Sequence, residues 1–276
     1  MDVGQDADDG QGAAAALPQV TYLREPAGHD VDVTVVTLLV RDDGYETMLK
    51  SAVAKGFTED RAQFIALDNR GENRFDGYQA IRRVLPECRG RYILFCHDDV
   101  EFTGETLDEL IALLERLEAA HPRWMLAGNS GNPATGKVVN WTHIDDPLGA
   151  RRVDGFKRVN SLDENFFVMK RDRAALGSID LAGFHLYATD LCLIAEVMGG
   201  EAYVIPFALT HHSRGSLSQD SEAARQALMR KHRRFFMGRR WGAPAMPLAI
   251  GWAGLGTALR EWLRLAAPAA DAKQGT

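Results

Sequence analysis

The chain has 276 residues, 46% of them hydrophobic and 25% charged, with a formal net charge of −6. That length supports one large domain or two small ones with a sizeable core, and the composition excludes a fibrous or wholly disordered protein. The acidic balance argues against a general nucleic-acid binder. Cys88, Cys96 and Cys192 form no CxxC pair, so buried thiols in a reducing, cytoplasmic setting fit best.

Residues 1–19 are acidic and rich in Gly and Ala, without the basic start and apolar core of a secretory signal, and read as a disordered tail. Val31–Val40 is β-branched and almost wholly apolar, as expected of a strand buried on both faces in a parallel sheet. Gly44–Lys55 has helical spacing and stops at Gly56. Gln63–Leu67 is a second short strand, closed by the turn signal Asp68-Asn69-Arg70-Gly71. Phe75–Leu85 reads as a helix ended by Pro86, and Arg91–Cys96 as a third strand. Thr106–Ala120 is an amphipathic helix with Leu107, Leu110, Ile111 and Leu114 on one stripe. Trp124–Ala127 is a fourth strand. Regular β-α alternation predicts a mostly parallel sheet flanked by helices, with ligands bound beyond the carboxyl ends of its strands.

The second half is more polar. Lys137–Thr142, Arg151–Asn160 and Leu162–Met169 read as a small antiparallel addition. Leu186–Met198 is helical, Ala202–Leu209 a strand, and Ser218–Met237 a long helix. A main domain over 20–240 is expected, with an apolar, basic helix and tail over 241–276. No stretch reaches the roughly 18 uninterrupted apolar residues of a membrane span. The segment Arg230–Trp241, RKHRRFFMGRRW, has three readings: contact with acidic lipid at the inner membrane face, a solvated helix end, or a nucleic-acid patch. The acidic remainder of the chain places nucleic acid last.

The chemistry centres on His97-Asp98-Asp99, which ends the third strand. Adjacent carboxylates near a core repel unless a cation compensates, and hard oxygen ligands suit Mg²⁺ or Mn²⁺. Side chains alternate along a strand, so one Asp faces a metal while the other holds a hydroxyl, a cation or a backbone amide. The competing reading is an acidic turn before a helix. Asp190, at the start of an apolar helix, is either a capping carboxylate or a general base. His211 and His212 end a strand, where an imidazole could complete a metal shell begun by Asp99. Asp68, Asn69 and Asn73 are turn formers at a sheet-edge address.

The order of these pieces resembles the family 2-type glycosyltransferases of the GT-A fold, and looks closest to their StrF-like branch, named for a streptomycin-biosynthesis protein. The stretches are YILFCHDDVEF, LDENFFVMKR, GFHLYATDLCLIAEVMG and YVIPFALTHHSRGS, within Val31 to Ser216. The resemblance implies a metal-dependent, inverting, hexosyltransferase-type enzyme. Its donor would be a UDP-, GDP- or dTDP-sugar and its acceptor a glycan, a lipid-linked sugar or a small molecule. It implies Asp99 and His211 as ligands of Mn²⁺ or Mg²⁺, Asp190 as the base, and Asp68, Asn69, Asn73, His97 and Asp98 on the donor. Asp163, Glu164 and His185 would line the sugar or acceptor side. The chain departs from the family at Val40-Arg41, where a polar or aromatic residue followed by Asn is common. A nucleotidyltransferase would show a Gly-rich basic loop where Arg41-Asp42-Asp43-Gly44 stands; a non-catalytic nucleotide-sugar-binding module would tolerate loss of Asp99 or Asp190.

Overall fold

In the computed structural model, residues 28–133, 141–145, 152, 154–213, 219–233, 235, 239–243 and 246–250 are described. In chain order they form β1 (Val31–Leu39), α1 (Asp42–Ala54), β2 (Ala62–Asp68), α2 (Gly77–Val84), β3 (Gly90–Cys96), β4 (Val100–Glu101) and α3 (Leu107–Ala120). There follow β5 (Trp124–Gly128), β6 (Ser130–Asn132), β7 (Trp141–Thr142), β8 (Ile144–Asp145), β9 (Lys157–Val159), β10 (Ser161–Leu162) and β11 (Phe166–Lys170). The last elements are α4 (Tyr187–Val197), β12 (Glu201–Val204), β13 (Leu209–His211), α5 (Gln219–His232), β14 (Arg239–Ala243) and β15 (Met246–Ile250).

The central sheet has seven strands in the order β2-β1-β3-β11-β5-β12-β9. β1 pairs in parallel with β2 and β3, and β5 with β12, while β11 is antiparallel to both β3 and β5. Apolar side chains leave both faces. Along β1, Val33 and Val35 join one core and Val36 the other; along β3, Leu94 and Cys96 oppose Ile93 and Phe95. That is why β1 and β3 read as unbroken hydrophobic runs instead of alternating ones. α3 covers the first face through Leu107, Leu110, Leu114 and Leu117, and begins with a complete capping box between Thr106 and Glu109. α2 and α4 cover the second face through Ile81, Val84, Leu191 and Ala195. There Phe95 and Phe167 stack across β3 and β11 with ring centroids 5.2 Å apart.

Two departures from the sequence reading matter. β11 enters between β3 and β5, so the second half of Leu162–Met169, expected in the small antiparallel addition, lies inside the central sheet. β14 and β15 pair antiparallel, Arg239 opposite Ile250, where a helix was expected after Gly242. Pro247 lacks the N–H a helix interior needs, while a two-stranded edge tolerates it. The basic run expected to meet lipid is partly committed inward: His232 is buried and Lys231 is paired with Asp180, whereas Phe235 is exposed. The tail at 1–19 and the segment beyond 250 lie outside the described residues. No described helix is long and apolar enough to cross a membrane.

Candidate active site

β2, β1 and β3 lie side by side and in parallel, so their carboxyl ends bring residues far apart in sequence to one edge. Asp68 ends β2 opposite Leu39 of β1; Val40 and Arg41 follow β1; His97, Asp98 and Asp99 follow β3. The two aspartates diverge as a turn requires. Asp98 Oδ2 accepts the backbone N–H groups of Val40 and Arg41, both at 2.8 Å. It ties the end of β1 to the end of β3, which is a structural task. Asp99 turns the other way.

His211 reaches Asp99 through strand pairing. β13 runs antiparallel to β4 with His211 opposite Val100, and the His212 N–H donates to the Asp99 carbonyl at 3.1 Å. His211 Nε2 then lies 3.3 Å from Asp99 Oδ1. His97 completes the group: its Nδ1 is 3.3 Å from His211 Nε2 and 3.9 Å from Asp99 Oδ1. One ligand atom from each of His97, Asp99 and His211 lies within 4.8 Å of the others. The chemistry suits a divalent cation. Burial opposes ionisation of Asp99, but hydrogen bonds from His211 and Ser213 and the nearby imidazoles outweigh it and hold its carboxyl well below the ordinary range. Burial, then the neighbouring His211, lowers His97, which favours the neutral imidazole a metal requires.

The guanidinium of Arg41 stands on the other side of Asp99, with Nη2 2.8 Å from Oδ2. The sequence marked Arg41 only as a departure from a family pattern; its signal was a charge directly after a buried parallel strand. An open cleft of about 380 Å³ adjoins these groups, lined in part by Arg41, Gly44, Thr47, Asp99, His212 and Ser213. Gly44 is needed because a Cβ there would sit 2.8 Å from the Asp98 carbonyl oxygen.

Other expected residues fall into three groups. Asp68 is at the sheet edge and half-buried, and its carboxylate is held by Arg70 through Nε at 2.9 Å and Nη2 at 3.0 Å. That hydrogen bonding lowers it to about 2. Asn69 is buried and zips the loop, accepting from the backbone N–H groups of Arg74 and Phe75 and donating to the Phe75 carbonyl. It is a turn former and not a donor contact. Asn73 is exposed on that loop.

Asp163 and Glu164 immediately precede Asn165, whose backbone adjoins His97. The Asn165 carbonyl accepts the His97 N–H at 3.1 Å, extending the β3–β11 ladder past its last pair. Asp163 Oδ1 accepts from Asn165 Nδ2 at 2.7 Å. Glu164 stands close to the backbone N–H groups of Leu186 and Ala188 at the start of α4. Leu186, with φ +66°, caps that helix without a side-chain hydrogen bond of its own. Glu164 Oε1 has no hydrogen-bond partner. Burial first, then Asp163, pushes the Glu164 carboxyl up to about 8. His185 is half-buried, and its carbonyl accepts from Tyr78 Oη at 2.8 Å.

Asp190 is a correction. It is fully buried, and its oxygens are engaged by Ser178 Oγ at 2.7 Å, Ser178 N at 2.8 Å and His232 Nε2 at 2.7 Å. A general base must reach the hydroxyl it deprotonates. Asp190 instead staples α4 to α5 and to the loop before α4. Asp190→Ala strands a buried imidazole and hydroxyl, so a loss of about 3–5 kcal/mol is expected. Urea unfolding reads it directly, and an unchanged midpoint and slope would show that the staple carries no stability.

Residues 32–166 match glycosyl transferase family 2. A Fuscovulum blasticum protein named "ATP synthase subunits region ORF 6" is 40% identical over 231 residues, 80% of this chain and 92% of that one. The chain belongs to glycosyl transferase family 2. Among solved structures, GalNAc-T7 with UDP, GalNAc and Mn²⁺ is similar at a TM-score of 0.51 and 10% identity, over 73% of this chain. This chain spans about half of the GalNAc-T7 chain, 47%. The mannosyltransferase PcManGT from Pyrobaculum calidifontis, with GDP-Man and Mn²⁺, is similar at a TM-score of 0.44 and 13% identity, over 73% of this chain and 64% of that one. The first likeness shows the GT-A fold.

Proposed function

We propose that this family 2 chain transfers a hexose-type sugar from a nucleotide-sugar donor to an acceptor hydroxyl, with inversion and with a divalent cation. The observation that carries the reading is the convergence of His97, Asp99 and His211 on one point beside an open cleft, at the carboxyl end of β3. The bound cation would act as a Lewis acid on the donor diphosphate. His97, Asp99 and His211 would hold it, and two imidazoles with one carboxylate favour Mn²⁺ over the strictly oxygen-seeking Mg²⁺. The β1–α1 loop, fixed by Asp98, would form the donor side. Glu164 is our choice for the proton acceptor in place of Asp190. It neighbours His97 through Asn165, and its Oε1, buried in the free protein, has no hydrogen-bond partner there and must be uncovered as the acceptor enters. We read the reaction as cytoplasmic, near the membrane only if the exposed part of the basic segment meets lipid.

Differential scanning fluorimetry with UDP, GDP and dTDP tests this. One nucleotide is expected to raise the melting temperature with Mn²⁺, less with Mg²⁺ and not with EDTA, because a ligand of the native state stabilises by mass action. Equal shifts in Mn²⁺ and EDTA would remove the metal from the reading.

A further inference from the structure

Arg41 has a fixed backbone and a loosely held side chain. Its N–H is bound by Asp98, but its side chain is about half exposed, at 53%, and reaches Asp99 Oδ2 at 2.8 Å and Asp98 Oδ1 at 3.6 Å. The two oxygens of Asp99 are thus divided: Oδ1 faces His97 and His211, and Oδ2 faces Arg41. Both carboxylates are nearly buried, and a buried pair of like charges needs a counter-charge. Arg41 supplies it, and the same guanidinium lines the cleft.

We propose that Arg41 is a mobile counter-ion of this site, neutralising Asp98 and Asp99 in the free protein and turning onto the donor's diphosphate once a divalent cation shares Asp99. The inference rests on the glycosyltransferase reading above. Counting only the directly paired Asp98, Asp99 and Arg41, the formal charge is −1 without metal and +1 with it, with Asp43 and Glu101 also on the cleft wall. The added cation repels the guanidinium and weakens its hold on Asp99. An incoming diphosphate then satisfies both positive centres, and the planar fork of Arg matches phosphate oxygens in pairs. Arg41 therefore opposes metal binding alone and favours nucleotide binding afterwards, which couples the two ligands positively.

Calorimetry on wild type, Arg41→Gln and Arg41→Lys tests this, with Mn²⁺ alone and then with UDP and GDP at saturating Mn²⁺. Arg41→Gln is expected to bind Mn²⁺ alone about tenfold more tightly, the effect of removing one nearby like charge in a largely aqueous setting. It is expected to bind the nucleotide about tenfold more weakly, with Arg41→Lys intermediate. Both variants keep the backbone N–H on Asp98; Arg41→Gln leaves the two carboxylates without their counter-charge, so its melting temperature should fall without metal and recover in saturating Mn²⁺, while Arg41→Lys stays close to wild type. Weaker or unchanged Mn²⁺ binding in Arg41→Gln, or unchanged nucleotide binding, overturns the role of Arg41. A wild type that binds neither nucleotide with Mn²⁺ overturns the glycosyltransferase reading and this inference together.

Discussion

Asp99→Asn is expected to lower Mn²⁺ affinity by at least about 100-fold, since even outer partners of metal ligands account for 10–100-fold. Metal-dependent nucleotide binding should vanish with it. The carboxylate is the acidic member of a trio whose other members are imidazoles. Its ionised form is held through neutral pH by His211 and Ser213 despite burial, so asparagine removes a whole charge and not a fraction of one. The fold should survive, because the backbone bond from His212 to the Asp99 carbonyl is untouched and the site lies at the sheet edge outside the two cores. Calorimetry with Mn²⁺ checks the prediction, with a urea melt as control. Wild-type Mn²⁺ affinity in a folded Asp99→Asn would mean that the metal is held elsewhere.

The sheet edge was legible where local chemistry decides the outcome. The unbroken apolar runs of β1 and β3, and the polar residues that stop them, located Asp68, Asp98 and Asp99 at neighbouring strand ends before any coordinates. The divergence of two adjacent aspartates was expected from strand alternation but arises in the turn after β3, where Asp98 takes a pair of backbone amides. What was not legible depends on long-range pairing. Nothing local to Phe166–Lys170 says that it enters between β3 and β5, yet this insertion sets Asp163 to Asn165 beside His97. Asp190 shows the same limit from the other side. An acidic residue in a first helical turn looks the same whether it faces a cleft or a core. Here Ser178 and His232, 12 residues before and 42 after it, decide for the core. The loss of Asp190 also removes a residue by which the sequence argued against a non-catalytic binding module, and Glu164 now bears that question.

Glu164→Gln is expected to lower turnover by about 10²–10⁴-fold while leaving Mn²⁺-dependent nucleotide affinity near wild type, the pattern of a lost general base. The isosteric amide keeps a carbonyl oxygen facing the nearby Leu186 and Ala188 amides, so a purely structural role would be largely rescued. The pH dependence separates the two roles further. Folding raises the Glu164 carboxyl from 4.5 to about 8, through burial first and Asp163 second. The folded protein therefore binds more protons at this site than the unfolded chain between those values. The associated stability is full below about pH 4.5 and is lost as pH rises through 8. Without metal, wild type should lose stability relative to Glu164→Gln across that window in urea titrations. Activity should move in the opposite direction: the carboxylate must be ionised to take a proton, so kcat/KM should climb with pH toward 8 in wild type and stay flat at a low level in the variant. Turnover measured by nucleotide release from the donor whose nucleotide the fluorimetry selects decides the matter. Wild-type turnover in Glu164→Gln would leave the acceptor without a carboxylate base at this position and return the non-catalytic reading of Asp163 and Glu164 as a helix cap.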